Sequence, residues 1–270
     1  MPTTSHSADT HSASPLRYAL DDHGIARIRF NRPQALNAID IPMADAFLRC
    51  CRALAQEARV RVIHLSGTGR AFMAGGDVQA MRTAPEAVAA ALIRHMHDAL
   101  RILADQNAPI VCTVQGAVAG AGLGVMLNAD FVLAQQDTRF GVAYPLIGAS
   151  CDCSTSWLLP RMVGLRKATE LALLGDMIDA NEALRLGLVN QVLDDAALAP
   201  ATEQLLLRLA QGPTVAYGRM RHLLRTALQH DLDAHLDSEA TGFITCTTTQ
   251  DFREGVDAFL EKRPPQFQGA

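Results

Sequence analysis

The chain has 270 residues, of which 49% are hydrophobic, and its formal net charge is −4. A chain of this size can bury a full core, and its acidic balance offers no basic surface to DNA or RNA. No apolar run reaches the roughly 18 to 20 residues that cross a bilayer, and residues 1–15 lack the basic start and apolar core of a signal peptide. We therefore predict a cytoplasmic protein with a disordered tail at residues 1–15 and with neither nucleic acid nor membrane as a partner.

Strands and helices alternate along the first part of the chain. Apolar alternation predicts strands at residues 25–30 and 60–67, and a further apolar run predicts one at 109–116. A period near 3.6 predicts helices at residues 40–56 and 85–105. Asp40 is the predicted N-cap of the first of these helices. This order is typical of an α/β core with a mainly parallel sheet.

The pattern changes near Leu165, after which the chain is predicted to be helical with only residues 190–194 extended. The last segment, from Asp251, is predicted to form an amphipathic helix followed by a proline-stopped tail. We therefore divide the chain into a core domain at residues 16–195 and a helical domain at 196–270. Such an appendage suits packing against another subunit.

Two glycine-rich segments, residues 67–77 and 116–127, each follow a predicted strand. Residues with little side chain let a ligand approach the backbone, and the free N–H groups at a helix start favour negative charge. Two such ends aimed at one point would form an oxyanion hole, although the glycines could equally serve turns and packing. A dinucleotide site is not expected, because Val125 occupies the position of the third glycine in that motif.

Asp152 stands between Cys151 and Cys153 and before the lone tryptophan. A zinc site would need a second pair of ligands, and His95 and His97 point to different faces of their predicted helix. Neither group therefore predicts a metal site. The residues alone leave Asp152 as a working acid or as the N-cap of the following helix.

Six segments in order resemble the crotonase, or enoyl-CoA hydratase/isomerase, superfamily. They are residues 31–39, 69–81, 114–134, 157–175, 180–195 and 252–267. The stretch "CDCSTSWLLPR", Cys151 to Arg161, and the C-terminal tail are most similar to the branch of ring-1,2-epoxyphenylacetyl-CoA isomerases. The resemblance implies a crotonase fold of ββα repeats with a C-terminal helical oligomerisation region, in a trimer or a dimer of trimers.

The same resemblance implies an acyl-CoA thioester as substrate, with coenzyme A as part of it and no metal or other cofactor. The thioester oxygen would lie between the backbone N–H groups of Gly76 and Ala121, with Asp152 moving a proton. The residues implied in binding coenzyme A are Arg32, Ala35, Leu36, Ala74, Asp77 and Val78, with Phe259 and Lys262 from a neighbouring subunit. The residues implied in lining the acyl pocket are Met81, Gly124 and Tyr144.

The sequence departs from the hydratases of this superfamily at two positions. Gly124 and Tyr144 stand where those hydratases carry glutamates that position and deliver water. A glycine transfers no proton, and a tyrosine of ordinary pKa is a poor base at neutral pH. We therefore expect double-bond or ring isomerisation, with hydration, dehalogenation or hydrolysis, and acyl-CoA binding without catalysis as alternatives.

Overall fold

The structure, a computed structural model, describes residues 14–270, so most of the predicted tail lies outside the described residues. The strands are β1 Leu16–Leu20, β2 Ile25–Phe30, β3 Val62–Gly67, β4 Ile110–Val114, β5 Ala117–Ala119, β6 Phe131–Gln135, β7 Arg139–Gly141, β8 Ile178–Asp179 and β9 Gln191–Leu193. The helices of the first part are α1 Ile41–Leu54, α2 Val78–Met81, α3 Pro85–Ala104, α4 Ala121–Leu127, α5 Thr155–Val163, α6 Leu165–Leu174 and α7 Ala180–Arg185. The last four are α8 Asp195–Ala210, α9 Thr214–Thr226, α10 Leu232–Thr247 and α11 Gln250–Glu261. Among residues 14–270, no helix combines the length and the apolarity needed to span a bilayer.

Two sheets form the core. The larger sheet has the strand order β1-β2-β3-β4-β6-β9, and every neighbouring pair except β1 and β2 is parallel. The smaller sheet has the order β5-β7-β8. The α/β fold with a mainly parallel sheet is therefore confirmed.

Most of the predicted elements are present with boundaries shifted by one or two residues. Asp40 caps α1 by accepting a hydrogen bond from the Met43 amide at 2.9 Å, as its position predicts. The prediction of only one extended stretch after Leu165 is wrong, because Ile178–Asp179 adds a strand to the smaller sheet. Strands of two or three residues are too short to show a periodicity, so this sheet left no signal in the sequence.

A buried ion pair ties the C-terminal helices to the core. Asp130, which precedes β6, accepts hydrogen bonds from the Ile110 amide at 2.7 Å and from Arg221 Nε of α9 at 2.6 Å. Arg225, one turn further along α9, reaches the other oxygen of Asp130 at 3.3 Å. This carboxylate therefore joins the start of β4 to α9, and it fixes the helical region against the elements that carry the site.

Candidate active site

The two glycine-rich segments lie side by side in the structure. The Met73 amide donates to the Ala117 carbonyl at 3.1 Å, and the Ala119 amide donates to the Met73 carbonyl at 3.0 Å. A methyl group on Gly75, whose φ is +110°, would lie 3.3 Å from the Ala119 carbonyl oxygen. The backbones thus approach each other at a distance that only glycine permits without displacement.

Gly76 in one segment and Ala121 in the other present free amides. Ala121 is the first residue of α4, so its N–H has no acceptor within the helix. Within residues 14–270, neither the Gly76 nor the Ala121 N–H donates a hydrogen bond to the protein. Two unpaired donors on adjoining segments, one of them at a helix start, can stabilise a developing oxyanion.

Asp152 lies beside Tyr144, which the resemblance implies in lining the acyl pocket. The Tyr144 hydroxyl donates a hydrogen bond to Oδ1 of Asp152, and Asp152 itself is half-buried. Burial, followed by the charge of Asp152, raises the pKa of Tyr144 far above its ordinary value. The phenol therefore stays protonated at neutral pH, where it can orient the carboxylate but cannot act as a base.

Asp152 is not the cap of the following helix. Helix α5 begins at Thr155, and Ser154 is its N-cap residue. The Asp152 side chain accepts the Tyr144 hydrogen bond instead, and its backbone carbonyl accepts a hydrogen bond from the Thr155 amide at 3.0 Å. This arrangement removes the structural alternative that the sequence left open for this acid.

Gly124 lies where α4 and the Asp152 segment pack together. A Cβ on Gly124 would lie 2.6 Å from the Cys153 carbonyl oxygen, 2.7 Å from the Cys153 Cβ and 2.8 Å from Oγ1 of Thr155. These distances are shorter than van der Waals contact, so any larger side chain displaces the segment. The position therefore lacks space for a glutamate as well as lacking the residue.

Residues 21–270 match the family model for enoyl-CoA hydratase/isomerase. The chain belongs to the enoyl-CoA hydratase/isomerase family. The 1,2-epoxyphenylacetyl-CoA isomerase of Escherichia coli K12 is 35% identical over 252 residues, which are 92% of this chain and 96% of that protein.

Other similar proteins are named as hydratases. The crotonyl-CoA hydratase of Syntrophomonas wolfei is 29% identical over 244 residues, which are 90% of this chain and 94% of that protein. A crystal structure of an enoyl-CoA hydratase from Mycobacterium smegmatis has a TM-score of 0.88 at 30% identity, with 94% of this chain and 98% of that chain covered. The crotonase fold and its helical C-terminal region are confirmed, and the choice between activities falls to the side chains of the site.

The tight packing at Gly124 predicts that a larger residue at this position impairs catalysis by this crotonase. If Asp152 is the catalytic acid that the resemblance implies, we expect Gly124→Ala to lower kcat by on the order of 10²-fold, because a catalytic group displaced by about 1 Å loses roughly that much. Gly242→Ala on α10 is the matched control, since its Cβ would meet only ordinary contacts at 3.7 and 3.8 Å. Steady-state kinetics on a 3-enoyl-CoA would measure both variants. An unchanged kcat in Gly124→Ala would show that the segment behind Asp152 can move without cost.

Several candidate coenzyme A residues adjoin one another in this crotonase. The Ala74 amide donates to the Leu36 carbonyl at 3.1 Å, and Ala35 ends the short 3-10 helix that precedes Leu36. Arg32 Nε lies 3.2 Å from Asp40, and its terminal nitrogen lies 3.1 Å from Asp77. The Arg32 guanidinium is therefore engaged by two carboxylates, so a contribution from Arg32 to binding would come from its backbone and aliphatic stem.

The remaining candidates lie around this region or on the last helix. Asp77 caps α2, Val78 is its first residue and is 52% exposed, and the methyl of Met81 lies 3.1 Å from the Cβ position of Gly76.

Phe259 on α11 is 83% exposed, and Lys262 is the C-cap residue of that helix. Phe259 lines an apolar groove among the C-terminal helices that none of the other candidates lines. The role that the resemblance implies for Phe259 and Lys262 is contact with coenzyme A bound to a neighbouring subunit.

Two residues that contact the Asp152 segment were missed by the sequence reasoning. His97 of α3 accepts a hydrogen bond from the Cys153 amide at 3.1 Å. Asn128, just after α4, donates to Oγ of Ser154 at 2.7 Å and to the Gly124 carbonyl at 2.8 Å. The contacts of His97 with Cys153 and of Asn128 with Ser154 join residues at least 26 positions apart in the chain, so no local pattern could have revealed them.

Proposed function

We propose that this member of the family is an enoyl-CoA isomerase, acting on a double bond or a ring, in which Asp152 moves the proton. The observation that carries the proposal is the position of the Asp152 segment against α4. Ala121 and Gly124 are three residues apart and share a helix face, separated by about 4.5 Å along the axis. Because Cys153 packs on Gly124, the segment that bears the neighbouring Asp152 lies against α4, the helix whose start bears the Ala121 amide.

The reaction on a 3-enoyl thioester needs one base and one oxyanion site. The Asp152 carboxylate takes a proton from the α carbon, and the electron pair of that C–H bond moves toward the carbonyl. The thioester oxygen gains negative charge, which the Gly76 and Ala121 N–H groups stabilise. Asp152, now protonated, returns the proton to the γ carbon, so the double bond moves to the α,β position and the carboxylate is restored.

Hydration is disfavoured by the same side chains. A hydratase must hold and deprotonate a water at the β carbon, and the two positions implied for that task hold Gly124 and Tyr144. The position of Gly124 has no space for a carboxylate, and Tyr144 is a neutral phenol that donates a hydrogen bond to Asp152. One acid that returns the proton it removes suits isomerisation.

A panel of CoA thioesters with product identification tests the proposal. We expect a 3-enoyl-CoA to be converted to its 2-enoyl isomer faster, by on the order of 10²-fold, than a 2-enoyl-CoA gains water, since general acid–base catalysis supplies that much. Faster formation of the 3-hydroxy product would identify a hydratase. Tight thioester binding with neither turnover nor exchange of the α proton in D₂O would identify a binding protein, and release of free halide or CoA would identify a dehalogenase or hydrolase.

We extend the proposal to a cytoplasmic enzyme assembled as a trimer or a dimer of trimers. Large apolar side chains are exposed along the C-terminal helices, which supports packing against further copies of the chain. They are Leu224, Leu228, Leu232, Phe243, Ile244, Phe259 and Leu260. Coenzyme A, in this proposal, enters only as part of the substrate.

A further inference from the structure

The backbone that follows Asp152 adopts an unusual conformation. Cys153 has φ of +49° and Ser154 has φ of +61°, in the left-handed region that residues with a side chain seldom enter. Residues with a side chain are strained in this region, so two in succession persist only where the surroundings hold them. The segment that carries the proposed base is therefore dependent on its contacts.

His97 supplies one of those contacts from a distant part of the chain. Its Nε2 accepts the hydrogen bond of the Cys153 amide at 3.1 Å, across 56 residues of sequence. Cys153 is fully buried, so its amide has no water to replace this acceptor. A buried N–H that loses its partner is costly, and a change in the Cys153 backbone is the available relief.

The donor fixes the protonation state of the imidazole. A backbone amide can only donate, so Nε2 of His97 must be without a proton. The neutral ring then carries its proton on Nδ1. This tautomer follows from the identity of the donor and needs no assumption about the hydrogen positions of other side chains.

We propose that His97 is a positioning residue for the Asp152 carboxylate, acting through the Cys153 amide; this proposal rests on the proposed isomerase function. The contacts of Gly124 and Asn128 hold the segment from α4, and His97 holds it from α3. Without the α3 contact, the backbone at Cys153 can relax toward ordinary dihedral angles, which turns the adjacent carboxylate. Because a shift of about 1 Å at a catalytic group can cost on the order of 10²-fold, His97 would affect turnover without touching substrate.

The test compares two substitutions of His97. His97→Phe keeps a ring of similar breadth but has no acceptor, and we expect kcat on a 3-enoyl-CoA to fall by about 10- to 100-fold with KM changed by less than about threefold. His97→Gln places an amide oxygen near the depth of Nε2, so we expect kcat within about fivefold of the wild-type value. His95→Phe, two residues earlier on α3 and without a hydrogen bond to the Asp152 segment, is the matched control, with wild-type kinetics expected.

Asp152→Asn in the same assay separates failure of this proposal from failure of the isomerase function. If Asp152→Asn abolishes turnover while His97→Phe does not lower it, the positioning role is overturned and the proposed function stands. If Asp152→Asn has full activity, the proposed function fails first. Loss of kcat in His97→Gln equal to that in His97→Phe would also overturn the role of the acceptor.

The protonation of the two His97 ring nitrogens can be measured in the wild-type protein, independently of the kinetic assay. In ¹⁵N-labelled protein, the Nε2 resonance of His97 should lie in the range of an unprotonated ring nitrogen and Nδ1 in the range of a protonated one. Both resonances should be assigned to His97 by their absence from the spectrum of His97→Gln. A protonated Nε2 at neutral pH would overturn the contact on which the proposal depends, even if His97→Phe fails to fold.

Discussion

Asp152→Asn should lower kcat for isomerisation of a 3-enoyl-CoA by on the order of 10² to 10⁴-fold, the usual contribution of a positioned acid or base. The substitution is isosteric, and its amide oxygen can still accept the hydrogen bond that Tyr144 donates to Asp152. A carboxamide cannot take up a proton at neutral pH, so the substitution removes the proton transfer together with one negative charge. KM should change little, because no contact to the thioester oxygen is altered. Steady-state kinetics with product identification would measure both parameters.

The control for that variant is Asp137→Asn, an exposed acid in the turn between β6 and β7 that bonds to no other side chain within residues 14–270. It should retain wild-type kinetics, because it changes the net charge by the same amount at an exposed position that is not hydrogen-bonded to Tyr144. Incorporation of deuterium from D₂O at the α carbon should disappear in Asp152→Asn and persist in the control. More than about a tenth of the wild-type kcat in Asp152→Asn would remove this acid from the mechanism.

The sequence predicted the parts of this molecule that have local periodicity. The strand Ile25–Phe30 and the helix Pro85–Ala104 are long enough for their apolar spacing to show, and both are present with nearly the expected ends. The residue pattern singled out the two glycine-rich segments and Asp152, and the resemblance to the crotonases implied their roles in binding the thioester oxygen and moving a proton. The structure brings those segments together through the hydrogen bonds of Met73 with Ala117 and Ala119.

What the sequence could not provide is the packing around the acid. An aspartate can serve either as a helix N-cap or as a working acid, so the residue type does not distinguish the two roles of Asp152. The start of α5 at Thr155 and the hydrogen bond from Tyr144 distinguish them. The contacts of Cys153 with Gly124 and His97 join three separate elements, and their existence depends on how those elements dock. Such contacts follow from tertiary structure, where spacing along the chain carries no information.

Replacement of the peptide bond between Gly120 and Ala121 by an ester should lower kcat by on the order of 10² to 10³-fold, the cost of one lost oxyanion donor. Incorporating lactic acid in place of Ala121 keeps the methyl side chain and deletes only the N–H. Because Ala121 is the first residue of α4, this N–H makes no bond within the helix, so the fold loses little. Single-turnover kinetics on a 3-enoyl-CoA would measure the step in which the oxyanion forms.

An ester one residue later, with glycolic acid in place of Gly122, is the matched control. It also removes an N–H from the first turn of α4, where no helical acceptor exists, and it weakens the helix dipole to the same extent. We expect a loss below about tenfold there, since general weakening of a helix terminus acts through charge alone, whereas the Ala121 donor would contact the oxygen directly. Equal losses in the two esters would mean that the helix start stabilises the oxyanion as a dipole, and the assignment of the Ala121 N–H as a specific donor would be wrong.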